Sequence, residues 1–160
     1  MTIAKSARRM PFVAAVAIAA MAVTGCGKTE PDASAASAAD LDRAGEETLA
    51  VMNRHAEMMK TRDVEKIVAD YSDETIVIAT LFPKPIVGKD ALRKAVADVL
   101  KIPPVADAAQ PTFARKEAIG ELGYQIFEAE GLTGTETYVV RNGKIVFETA
   151  NITLKAATKK

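Results

Sequence analysis

The chain has 160 residues, with 21 Lys and Arg against 21 Asp and Glu, so its formal net charge is zero. No cluster of basic residues marks a phosphate-binding face, which excludes nucleic acid as a partner. One cysteine, Cys26, excludes an intrachain disulfide, and one histidine, His55, excludes metal sites built on two imidazoles.

Lys5, Arg8 and Arg9 precede an apolar, uncharged run over residues 12–23, and the small residues Thr24 and Gly25 follow. That order of charge, apolar run and small residues is a secretory signal, expected to be removed. A retained membrane helix needs about 20 apolar residues, whereas this Ala-rich run offers about 12.

The sequence Val23-Thr24-Gly25-Cys26 resembles the lipobox of bacterial lipoproteins, in which the cysteine is lipidated and becomes the new N-terminus. The resemblance implies attachment to a membrane through lipid at Cys26, and two or more acyl chains suffice for stable anchoring. Gly27 stands where an Asp tends to retain Gram-negative lipoproteins at the inner membrane, so the expected place is the periplasmic face of the outer membrane. Residues 1–25 hold three of the basic residues, so the remainder is mildly acidic.

Residues 26–39 are small and polar and read as a flexible tether, leaving 40–156 for one domain. Asp40 is the expected N-cap of a helix to about Lys60, burying Leu41, Ala44, Thr48, Met52, His55, Ala56 and Met59. Asp63 is the expected cap of a second, shorter helix, with Val64, Ile67, Val68 and Tyr71 at i, i+3, i+4 and i+7. The β-branched run 75–81 reads as a strand that stops at Phe82-Pro83-Lys84-Pro85. A third helix starts between Gly88 and Asp90, buries Leu92, Ala95, Val96, Val99 and Leu100, and ends before Pro103-Pro104.

Four strands follow, at 112–119, 124–130, 135–141 and 144–154, punctuated by Gly120, Gly123, Gly131 and Gly134. Asn142-Gly143 predicts a two-residue type I′ turn between the last two, because both positions need positive φ. That turn places Val140 opposite Ile145, Tyr138 opposite Phe147 and Glu136 opposite Thr149. One sheet face should then carry Glu136, Tyr138, Val140, Ile145, Phe147, Thr149 and Asn151. No internal repeat, GxGxxG, P-loop, CxxC or HExxH occurs, so no cofactor and no metal is expected.

Three stretches carry a further resemblance: residues 60–64 with Tyr71-Ser-Asp-Glu74; Ile86-Val-Gly88-Lys-Asp-Ala-Leu92; and residues 134–145 through the Asn-Gly turn. Together with the element order they are similar to the SnoaL-like branch of the nuclear-transport-factor-2-like (NTF2-like) superfamily, over about residues 41–154. The resemblance implies an α+β fold, a half-open cone in which a curved antiparallel sheet wraps an N-terminal helix. Its mouth is a ligand pocket in many members, and its back often forms a homodimer.

Ketosteroid isomerase, in the same superfamily, uses a Tyr and a protonated Asp as oxyanion donors and a second Asp as base. The resemblance places the Tyr position on His55, the protonated-acid position on Glu136 and the base position on Ala79, which cannot move a proton. The expected ligand-binding residues are His55, Glu136, Tyr138 and Phe147, with Met52 and Met59 as adaptable walls. An acid beside an imidazole favours carbonyl or hydroxyl groups on an otherwise apolar ligand. Plainer alternatives stay open: His55 as a bonded core residue, Glu136 solvated or paired with a lysine, Tyr138 and Phe147 as core.

Three functions fit these residues: a cone that binds a small apolar molecule or a partner protein, an enzyme on a small carbonyl compound using His55 and Glu136, or a structural dimer. The first is preferred because no catalytic base is evident, and fold alone does not decide function.

Overall fold

The computed structural model describes residues 37–106 and 111–155. The signal segment 1–25, Cys26, tether residues 27–36 and the last expected domain residue, Ala156, lie outside the described residues.

Helix α1 spans Ala38–Thr61, and its cap lies three residues before the expected one. Ser37 is the N-cap: its Oγ accepts from the Asp40 backbone N–H at 3.2 Å and donates to the Asp40 carboxylate at 2.7 Å. Asp40 therefore sits in the first turn, where its charge favours the positive helix end. Leu41 is exposed rather than buried, although its carbonyl accepts from Gly120 N–H. The helix stops at Arg62, which adopts the left-handed conformation with φ 55°.

Asp63 caps α2, Val64–Val68, by accepting from the N–H groups of Glu65 and Lys66. Tyr71 is not the last turn of this helix but the first residue of β1, Tyr71–Ala79. The chain is drawn out of the helix by strand β6, Lys144–Leu154: Ile145 N–H donates to the Asp70 carbonyl at 2.9 Å, and Lys144 Nζ donates to Ala69 O at 2.7 Å. A two-residue strand β2, Ile86–Val87, pairs with β1 after the Pro-rich turn. Helix α3 covers Lys89–Val99, and a short α4, Pro103–Ala106, follows where no element was expected.

Strands β3, Thr112–Ile119, and β6 have the expected bounds, while β4, Leu122–Ala129, and β5, Leu132–Arg141, start earlier than expected. The sheet is open and ordered β2-β1-β6-β5-β4-β3. It is mixed rather than wholly antiparallel, because β1 runs parallel to β6. Helix α1 lies against β3, β4 and β5, and α3 covers β1 and β2. Between them the core is built from Val51, Met52, Val68, Tyr71, Val77, Leu92, Tyr138, Val140 and Ile145.

One glycine explains how closely α1 nests in the sheet. A Cβ on Gly123 would lie 2.3 Å from Met52 Sδ and 3.0 Å from Thr48 Cγ2, so only a bare backbone admits the helix there. Met52 is consequently core.

The Asn-Gly turn forms as expected, with φ 51° at Asn142 and 69° at Gly143, and Val140 pairs with Ile145. Beyond that pair the register departs from the expectation. Val146 is an extra residue on β6, so Val139 faces Phe147, Tyr138 faces Glu148 and Glu136 faces Ala150. A bulge inverts the in-out alternation of everything after it. Phe147, expected in the pocket, therefore turns to the convex face beside Ile76, and Glu148 turns inward beside Val77.

Candidate functional site

The concave face of the sheet, α1 and α3 enclose a cavity of about 170 Å³. Its walls are chiefly apolar and come from separate elements: Met59 of α1, Leu92 and Val96 of α3, Val77 and Ala79 of β1, Phe127 of β4. An apolar cavity of about 150 Å³ can take up benzene, so this one suits a single ring or a short chain. Ala79, at the expected base position, contributes only a methyl group to the wall.

The polar residues of the lining are His55, Tyr71, Gln125, Glu136, Tyr138 and Glu148. Of the four expected binding residues, His55, Glu136 and Tyr138 line the cavity and Phe147 does not. No hydrogen bond joins His55 to Glu136 among the described residues. Each is tied instead to a tyrosine, with the His55 ring edge-on to Tyr71 at 5.2 Å and to Tyr138 at 6.2 Å.

Two hydrogen-bonded sets result. In one, the Glu136 carboxylate accepts from Tyr138 Oη–H and from the Gln125 amide, whose Nε2 also lies 3.1 Å from Tyr138 Oη. In the other, Tyr71 Oη–H donates to Glu148 and lies 3.3 Å from His55 Nε2. Behind His55, its Nδ1 is 3.8 Å from Asp70 Oδ2, while the other Asp70 oxygen accepts from Arg54 Nε at 2.6 Å.

The electrostatics follow from burial. Glu148 is 6% exposed, and loss of solvation pushes its carboxyl up to about 7. The nearby Glu136 charge adds to that rise, against the pull of His55 and the Tyr71 hydroxyl. Burial, with the neighbouring carboxylates, raises both the Tyr71 and the Tyr138 phenols, so both keep their protons. Burial also raises the Asp70 carboxyl, but His55 and Arg54 outweigh it and hold the group below the usual carboxylate range.

Proton count then decides hydrogen-bond direction. Tyr71 has one proton, and while that goes to ionised Glu148, His55 Nε2 can only donate to the phenol oxygen. Once Glu148 is protonated it can donate to Tyr71, Tyr71 to Nε2, and a proton on Nδ1 then faces Asp70. The row from Glu148 to Asp70 is thus able to shift a proton's worth of hydrogen-bond polarity through the core.

Tyr71, Gln125, Glu148 and Asp70 were not among the residues expected at the site. Tyr71 had a signal, since it opens the Tyr-Ser-Asp-Glu stretch that carried the resemblance. Gln125 alternates with Gly123 and Phe127 on one strand face. Glu148 had none, because the Val146 bulge that turns it inward has no local marker.

No family model and no curated protein sequence matches the chain. Solved structures do. An NTF-2 like protein of unknown function from Burkholderia xenovorans LB400 is 19% identical over 71% of this chain and 88% of its own, with a TM-score of 0.56. A SnoaL-like protein of unknown function from Burkholderia thailandensis E264 is 12% identical over 68% and 95%, with a TM-score of 0.58. A steroid delta-isomerase from Pseudomonas aeruginosa is 17% identical over 67% and 80%, with a TM-score of 0.53. The domain therefore has the NTF2-like α+β fold, an N-terminal helix held in a curved and unclosed mixed sheet.

Proposed function

We propose that this is a lipid-anchored protein of the bacterial cell envelope, on the periplasmic face of the outer membrane, whose cone takes up a small and largely apolar molecule. The observation that carries the binding reading is the cavity: apolar walls around about 170 Å³, with a polar end of two carboxyls, two phenols, an amide and an imidazole. That size favours a small molecule over a protein segment. The envelope address rests on the charge, apolar run and lipobox-like order of residues 1–26. No described helix is long and apolar enough to cross a membrane. Attachment in this reading is through Cys26.

One experiment tests both halves. The full chain expressed in a Gram-negative host is expected in the membrane fraction, and Cys26→Ser in the soluble fraction, where it should bind toluene by calorimetry. Ala150→Phe, which fills the cavity from β6, should remove toluene uptake at unchanged far-ultraviolet circular dichroism. Cys26→Ser found in membranes after signal cleavage sinks the anchor; toluene bound equally by Ala150→Phe sinks the cavity.

A second reading, an enzyme on a small carbonyl compound, is favoured by one observation. Glu148 reaches into an apolar cavity with a carboxyl at about 7, suited to giving or taking a proton at neutral pH. His55 would then orient the carbonyl, with Glu136 holding the Tyr138 hydroxyl beside it. Solvent deuterium should enter cyclopentanone next to its carbonyl faster than in buffer, and Glu148→Gln should abolish the gain. Exchange at the buffer rate removes the enzyme reading.

A further inference from the structure

The polar end of the cavity is rich in acceptors and poor in free donors. Glu136 and Glu148 are carboxyls, and the protons of Tyr138 and Tyr71 are already directed at them. Gln125 lines the cavity, is 5% exposed, gives its amide N–H groups to Glu136 and Tyr138, and leaves Oε1 without a hydrogen-bond partner among the described residues. A buried acceptor calls for a donor. No Lys or Arg is in the lining. Lys116, whose charge Glu136 favours, is held by Asn53 Oδ1 at 3.1 Å and over the Phe113 ring at 3.7 Å, and makes no ion pair with Glu136 among the described residues.

A carbonyl oxygen entering this end would compete with the carboxylates for the two phenol protons and leave a buried carboxylate less well bonded. An ammonium has the opposite effect. It brings up to three donors and no acceptor, and relieves repulsion between two carboxyls in one apolar cavity.

We propose that the ligand is a small primary amine, its ammonium against Glu136, Glu148 and Gln125 Oε1 and its single ring or short chain among the apolar walls. This deepens the cavity-binding reading and rests on it. It also replaces the carbonyl or hydroxyl preference expected from the sequence. The raised carboxyl of Glu148 is consistent with it, since burial first and the neighbouring Glu136 charge second favour a proton there, a place an ammonium can take.

The test compares three probes of one shape on the full chain carrying Cys26→Ser: toluene, benzyl alcohol and benzylamine, by calorimetry at pH 7.5. Benzylamine is expected to bind at least about tenfold more tightly than benzyl alcohol, with the preference falling to within about threefold in Glu148→Gln and in Glu136→Gln. Toluene and benzyl alcohol bound as tightly as benzylamine overturns the amine proposal and leaves the cavity reading standing. None of the three bound overturns both. The comparison on unaltered glutamates stands even where a variant fails to fold.

Discussion

Glu148→Gln should make the protein more stable at pH 8, by up to about 3 kcal/mol, and leave it nearly unchanged at pH 4. The unfolded carboxyl titrates near 4.5 and the folded one at about 7. Below both values the group is neutral in either state and costs nothing. As pH rises between them the unfolded state ionises first, so stability falls through that window and is flat above it. Each unit of difference corresponds to about 1.4 kcal/mol, which sets the ceiling. Glutamine keeps an acceptor for Tyr71 and cannot ionise, so the variant should lose this slope. Thermal melts at pH 4 and pH 8 should show a gap of roughly 10 °C opening at the upper pH only. Parallel stability curves for both proteins across that range would mean that Glu148 is solvated.

Arg54→Met should destabilise the protein at pH 7 by about 3 kcal/mol. The guanidinium reaches Asp70 from α1 at 2.6 Å and also donates to Gly143 O at 3.2 Å, tying the helix to the start of β1 and to the Asn-Gly turn. Asp70 is only 3% exposed, and removing one partner of a buried pair strands the other. The figure sits at the low end of the usual range because the Arg54 side chain is 47% exposed and water can partly replace it. Asp70 is held low, so in the parent its contribution is present above its ordinary range and lost as pH falls through the folded value. Without Arg54 the burial cost is opposed by His55 alone, the carboxyl rises, and the variant's deficit should shrink below about pH 5. Urea midpoints should fall for Arg54→Met and recover in Arg54→Met/Asp70→Asn. A double variant no better than the single would assign the loss to α1 packing instead of the stranded charge.

Both variants probe residues whose importance depends on distant partners. Arg54 reads as an exposed helix residue; only the exit of the chain from α2 at Ala69 brings a buried acid beneath it. Glu148 reads as the solvent-facing partner of an inward Phe147, and one extra residue at Val146 reverses the two. Where the cues were local they were legible. Asp63 caps α2, Asn142-Gly143 makes its turn, and β3 and β6 begin and end where β-branched alternation and glycine predict. His55 was legible as a cavity-lining residue through the family likeness, and Glu136 and Tyr138 also through register counted from the turn, because no bulge separates these two from it on β5.

The amino-acid sequence by itself determined the chemistry available: one histidine, one cysteine, a zero net charge, and helix and strand segments of the right lengths for an NTF2-like cone. Local propensity and periodicity suffice for that, since they act over a few neighbouring residues. Only the tertiary structure decided which of these groups meet. A bulge in β6 and the parallel pairing of β1 with β6 brought Tyr71 and Glu148 into the cavity, and the close seat of α1 on Gly123 brought His55 against them. Those are contacts between residues 16 to 77 positions apart, chosen by packing and by burial of charge rather than by any signal near the residues themselves.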